Sequence, residues 1–98
     1  MKKIVILLVI FALLLGMGSC SKKEEGVITV ATDATWPPME FVNESKEIVG
    51  FDIDLMKAAA EAGGFKVEFK NTAWDGIFAG LANGEYDAVI SSVTITED

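Results

Sequence analysis

The sequence predicts an α/β fold with a mainly parallel sheet, in the order strand, helix, strand, helix, strand. Three observations carry this prediction. A β-branched run, Val27-Ile28-Thr29-Val30-Ala31-Thr32, stands between Gly26 and Asp33. Two stretches with helically spaced apolar residues follow, each ending at glycine or Asn-Gly. Strand-like segments lie between and after them, at Lys66 to Lys70 and Asp87 to Ser91. Strands that alternate with helices pair in parallel, because each helix carries the chain back across the sheet to start the next strand in the same direction.

The first nineteen residues stand apart from this pattern. Lys2 and Lys3 precede an apolar run of twelve residues, Ile4 to Leu15, and then Gly16-Met17-Gly18-Ser19-Cys20. A membrane-spanning helix needs about 20 apolar residues. A shorter run with a basic start and a small-residue end has the layout of an export signal. Met17-Gly18-Ser19-Cys20 resembles the bacterial lipoprotein pattern, in which the signal is cut before a lipidated cysteine. Residues 1–19 are therefore expected to be a lipoprotein signal peptide, and residues 20–26 a lipidated Cys20 with a short polar tether. Residues 27–98 are expected to be the remaining domain, which carries the strands and helices.

Within the soluble part each element has a local cause. Val27 to Thr32 suits a buried strand. The two prolines of Trp36-Pro37-Pro38 forbid helix and hold the chain extended. Glu40-Phe41-Val42 and Ile48-Val49 flank the polar turn Asn43 to Glu47 and predict a hairpin-like excursion. A helix is predicted from Asp52 to about Ala62, with Ile53, Met56, Ala59, Ala60 and Gly63 on its buried face. Gly63-Gly64 ends it, since glycine accepts the left-handed conformation found at helix C-termini. Lys66 to Lys70 alternates polar and apolar, as a half-covered strand does. A second helix, about Trp74 to Ala82, is predicted to bury Trp74, Ile77, Phe78 and Leu81 and to stop at Asn83-Gly84.

Composition narrows the function. After Cys20 the chain has six of its eight cationic residues and all fifteen acidic ones, a formal charge of −9. Nucleic-acid binding needs Lys and Arg against phosphate, so an acidic surface argues against it. The chain has no histidine, which removes imidazole metal sites and His-dependent catalysis; no cofactor and no metal are expected. Its single cysteine allows no intrachain disulfide.

Ligands on parallel sheets sit beyond the carboxyl ends of the strands. That rule marks Asp33 to Trp36, Asn71 to Trp74 and Ser91 to Thr94 as three stretches facing one crevice. Asp33 suits either a turn or cap or an acid meeting a ligand amine. Trp36 suits either packing beside the prolines or a flat ring covering an aliphatic stem. Ser91-Ser92-Val93-Thr94 offers backbone N–H groups and hydroxyls that could cradle a carboxylate, although strand-end serines also serve as turn formers. Asp52 and Asp54 read as first-turn acids favoured by exposed N–H groups and the helix dipole, not as a catalytic pair. With no Ser-His or Cys-His pair, nucleophilic catalysis has no support.

These segments resemble a known family. Gly50-Phe51-Asp52-Ile53-Asp54-Leu55, followed by Ala59, Ala60 and Gly63, is similar to the signature of polar amino-acid solute-binding proteins of ABC importers, family 3 of the bacterial extracellular solute-binding proteins. Ala31 to Phe41 resembles that family's opening segment and Asp87 to Glu97 its lobe-one binding loop. The resemblance implies a two-lobed periplasmic-binding-protein fold of type II, of which this chain holds part of lobe one only.

By position the resemblance implies that Asp33 meets the ligand side chain or amine and that Trp36, bulkier than the family's usual Tyr or Phe, stacks on the ligand. Trp74 contributes wall, Ser91 and Ser92 offer backbone groups, and Thr94 offers its N–H and hydroxyl to the α-carboxylate. The family's carboxylate-gripping arginine falls immediately after Asp98 in this register, so the 98 residues are expected to bind amino acids weakly or not at all. The implied function is extracytoplasmic capture of a polar amino acid by a lipid-anchored monomer that delivers it to an ABC importer's permease subunits. The alternatives are an enzyme or enzyme-linked domain on the same fold (cyclohexadienyl dehydratase-like, or associated with a lytic transglycosylase), a sensor ectodomain, and a truncated product without function.

Overall fold

A computed structural model of the chain describes residues 26–98. The expected signal segment, Cys20 and the tether before Gly26 lie outside them. Strand β1 (Val27–Thr32) is the middle strand of a three-stranded parallel sheet, flanked by β5 (Lys66–Asn71) and β6 (Ala88–Val89). A strand paired on both edges and covered by helices is buried along its length. That explains why β1 is a continuous run and not an alternation: Val30, Ala31 and Thr32 have no exposed surface. Its register with β5 runs from Val27 opposite Lys66 to Thr32 opposite Asn71.

The expected third strand from Asp87 to Ser91 is regular only at Ala88 and Val89, opposite Val30 and Ala31. Its hydrogen bonds nevertheless reach further, with Asp87 N donating to Thr29 O at 2.9 Å and Ile90 N to Ala31 O at 3.0 Å. At the start of this pairing the Asp87 side chain accepts the Thr29 N–H at 2.9 Å.

The proline-containing excursion is a second sheet. Strands β2 (Thr35–Trp36), β3 (Glu40–Val42) and β4 (Ile48–Val49) pair antiparallel in that order. The hairpin expected between β3 and β4 is present, and β2 adds a strand that the two prolines had left as merely extended.

Helix α1 (Phe51–Gly63) ends at Gly64, whose φ of 73° is left-handed, with Phe65 N bonding Ala60 O at 3.0 Å. Its buried face is narrower than the spacing predicts. Ile53 and Ala60 are buried and Met56 half-buried, whereas Ala59 and Gly63 are exposed. Helix α2 (Trp74–Ala82) departs more: Trp74, Phe78 and Leu81 are exposed and only Ile77 and Gly80 are buried. The cause is a residue that periodicity does not reveal. Tyr86 packs with Ala31 and Ile77 as a buried cluster beside Val89, and its hydroxyl donates to the Ile77 carbonyl. A side chain at Gly80 would collide with that hydroxyl. Tyr86 thus fills the space under α2, and the helix rests on Ile77 and the bare backbone at Gly80.

Candidate functional site

The carboxyl ends of the parallel strands open into a cleft of about 580 Å³ lined by Asp33, Thr35, Trp36, Glu40, Trp74, Ser91, Ser92 and Thr94. All six candidate residues, Asp33, Trp36, Trp74, Ser91, Ser92 and Thr94, meet there, although they come from positions scattered over sixty residues of chain. Parallel strands share one direction, so their ends and the turns that follow fall on one side of the sheet. The two tryptophans are the exposed apolar surfaces of the cleft, Trp36 at 66% and Trp74 at 46%. Trp74 also packs edge-on against Phe78, with ring centroids 5.1 Å apart.

Asp33 ties the cleft together, as a turn and cap residue that also lines its wall. One carboxylate oxygen accepts the Thr35 hydroxyl at 2.7 Å and the other accepts the Trp74 N–H at 3.0 Å. Trp74 is the first residue of α2, so Asp33 caps that helix from 41 residues away, with its charge set favourably against the helix dipole. Its own N–H donates to Ser91 Oγ at 2.9 Å. The neighbouring Ala34 N–H donates to Asn71 Oδ1 at 3.0 Å, joining the ends of β1 and β5.

The serine loop is oriented differently from a simple hydroxyl cradle. Ser91 Oγ lies 3.3 Å from Glu40 Oε1, and Ser92 Oγ lies 3.2 Å from both Glu40 Oε2 and Asp52 Oδ2. The Ser92 N–H donates to Asp52 Oδ2 at 2.7 Å. Both hydroxyls are therefore engaged with protein carboxyls, and Ser92 adopts a left-handed φ of 52°. Thr94 lines the rim beyond them.

Glu40 and Thr35 are cleft residues that the sequence reading did not select. The available signal for Glu40 was an acid in a short strand between Met39 and Phe41, where an apolar neighbour set suggests burial. Glu40 is 1% exposed, and its pKa is pushed from 4.5 up to about 7. Burial is the first cause, since a charge loses hydration there; hydrogen bonding and repulsion from Asp52 follow, and the bonds from Ser92 and Ser91 partly oppose them.

Asp52 is buried too, which corrects its reading as a mere first-turn acid; Asp54 is the exposed one. The reason lies in how α1 begins. Its first two N–H groups are taken by backbone carbonyls of the preceding excursion, Phe51 N to Pro38 O at 3.1 Å and Asp52 N to Met39 O at 2.9 Å. That docking leaves no role for a side-chain cap and sets Asp52 against Glu40, the residue after Met39.

Comparison with known proteins agrees with this architecture. The family model for bacterial extracellular solute-binding proteins, family 3, matches residues 28–98. A probable histidine-binding protein of Neisseria gonorrhoeae is 49% identical over 72 residues, covering 74% of this chain and 27% of that protein. The chain thus spans about a quarter of that relative's length. Among solved structures, an ancestral arginine-binding protein bound to glutamine matches with a TM-score of 0.71 and 49% identity, over 76% of this chain and 33% of that one. The arginine-bound form of domain 1 from TmArgBP, the T. maritima protein, matches with a TM-score of 0.69 and 40% identity, over 74% of this chain and 57% of that domain. These neighbours have the type II periplasmic-binding-protein fold, and residues 26–98 form part of one domain of it. Because the match runs from the first strand to the last described residue and is not confined to one motif, the chain belongs to the bacterial extracellular solute-binding proteins, family 3.

Proposed function

We propose that this chain forms one side of a cleft that captures a polar amino acid outside the cytoplasm and presents it to an ABC importer, without chemical conversion. The observation that carries the reading is the convergence of Asp33, Trp36, Trp74, Ser91, Ser92 and Thr94 on one open cleft. Its relatives' names support the ligand class: a probable histidine-binding protein, and an arginine-binding protein bound to glutamine. A zwitterion suits these walls. Thr94 offers an N–H and a hydroxyl to the α-carboxylate, Asp33 supplies negative charge for an ammonium or polar side chain, and the indoles cover aliphatic stem. The Ser92 N–H is held by Asp52, so it is not free to meet the ligand. The importer's permease subunits are the expected protein partner, with the binding protein acting as a monomer.

One feature favours an enzyme on the same fold: Glu40 lines the cleft with a pKa near neutrality, as a general acid or base would. Against it, Glu40 is almost wholly covered and bonds Ser91, Ser92 and Asp52, so its oxygens serve the protein and not a substrate.

Fluorescence tests the binding reading directly, because the chain's two tryptophans are Trp36 and Trp74 and both line the cleft. Titration of the chain with the common amino acids, up to millimolar concentration, should shift tryptophan emission for polar ones and leave it unmoved for sugars. That a single domain of TmArgBP was crystallised in an arginine-bound form supports a measurable response from one side of the cleft. A response to sugars as large as that to polar amino acids would sink the proposal.

A further inference from the structure

Beneath the cleft lies a polar cluster that ligand contact does not explain. Glu40 and Asp52 are both buried, and both bond the one hydroxyl of Ser92, at 3.2 Å each. Asp52 also holds the Ser92 N–H, and Glu40 also holds Ser91 Oγ. A hydroxyl has one proton, so Ser92 can donate to only one of the two acids and must accept from the other. The arrangement is complete when Glu40 carries a proton. Then Ser91 Oγ–H donates to Glu40 Oε1, the Glu40 O–H is directed to Ser92 Oγ or Asp52, and the Ser92 Oγ–H and N–H both donate to Asp52 Oδ2. Without that proton two carboxylates face each other across a single hydroxyl in a buried site.

The residue so held is in an unusual conformation. Ser92 has a positive φ, which a side chain other than glycine adopts at a cost. It is the pivot from which the chain leaves the sheet toward Thr94, and Ser91, Ser92 and Thr94 all line the cleft. We propose that Glu40 and Asp52 are a positioning pair, which locks the Ser92 turn through one proton and so sets the backbone groups that the cleft presents to its solute. Neither is a ligand contact. The proposal rests on the binding reading only for its consequence, not for the lock itself.

Among the described residues, the charge that acts on Glu40 is that of Asp52. Asp52 comes from α1, and Asp33 stands one hydrogen bond further away through Ser91. Strand β2 supplies Thr35 and Trp36 and α2 supplies Trp74 to the cleft, and β4 pairs with β3 through the uncharged Ile48 and Val49. Asp52 is an acid, so its charge opposes loss of the Glu40 proton. With Glu40 titrating near pH 7, the lock is closed in mildly acidic medium and opens as the medium turns alkaline.

Amide resonances of Ser91 and Ser92, followed by NMR from pH 5 to 9 on the full chain without ligand, test the lock. Both should move with one inflection near about 7, and Glu40→Gln, whose amide group donates and accepts as the protonated acid does, should abolish the inflection and keep the low-pH positions. The same inflection in Glu40→Gln, or none in the parent chain, would overturn the proposal. Should Glu40→Gln not fold, Ser92→Ala provides the second test. Removing the hydroxyl that links Glu40 to Asp52 should move the inflection seen at Ser91, and an unmoved midpoint counts against the lock. The consequence for binding is read separately: the amino acid that quenches or shifts tryptophan emission should bind several-fold tighter at pH 6 than at pH 8.5, and equally at both in Glu40→Gln. If no amino acid shifts the emission of this chain, the NMR result alone decides the lock; equal affinities in a parent chain that does bind would refute the positioning role.

Discussion

Glu40 shows how strongly one residue's chemistry depends on its neighbours. In an open strand it would be an ordinary surface acid, but here burial and Asp52 push its pKa from 4.5 to about 7. The direction fixes a pH dependence of stability. The unfolded chain releases this proton near 4.5, whereas the folded chain keeps it to about 7, so between these values the folded state binds about one proton more. Stability from this group therefore falls as pH rises through that window and levels off above it. Urea midpoints measured from pH 4.5 to 8 should show the parent chain losing stability relative to Glu40→Gln across the window; parallel profiles would mean that Glu40 titrates as an exposed acid. Asp33 makes a complementary case, since it is helix cap, turn former and cleft wall at once, and no choice among those readings was needed.

At the scale of elements, the junction into α1 carries the site. Gly50 has a φ of 133°, and a Cβ there would run into the Met39 carbonyl and come within 2.9 Å of Pro38 O. Only a bare backbone lets the excursion's carbonyls reach the first N–H groups of α1, and that contact is what brings Asp52 to Glu40. Gly50→Ala should cost about 3 kcal/mol in a denaturant titration, from strain and overlap with backbone that cannot move aside. Gly64→Ala is the control: its φ is left-handed, but nothing lies near its Cβ, so about 1 kcal/mol is expected. Equal losses at the two positions would show that the close approach at Gly50 is not a structural requirement. The helices themselves were legible because caps and breakers are local signals: Gly63-Gly64 and Asn83-Gly84 stop them as read. Their buried faces were less so, because 3.6-residue spacing reports which residues share a face but not how much of it is covered. Tyr86, entering from outside α2, decided that.

For the whole molecule, attachment to a membrane is a separate matter from the fold. No helix among the described residues is long and apolar enough to cross a membrane, and the strongly acidic part after Cys20 would be repelled by anionic lipid. The expected lipid anchor on Cys20 lies outside the described residues; a diacylglyceryl group there would supply two chains, enough for stable anchoring where one is marginal. Cys20→Ser should move the expressed protein from the membrane fraction to the soluble one. Unchanged partition on fractionation would exclude the lipid anchor.

What the sequence determined by itself was the order and kind of elements, the parallel sheet, and the three segments that face the cleft. Strand and helix periodicity, breaker residues and the rule that ligands sit at carboxyl ends of parallel strands are all functions of local order along the chain. What only the tertiary structure decided was the network under those segments: Asp52 turned inward to Ser92, Glu40 buried against it, and Asp33 capping a helix 41 residues away. Burial and proton affinity depend on which surfaces meet in space, and residues up to 52 positions apart carry no periodic signal of having met.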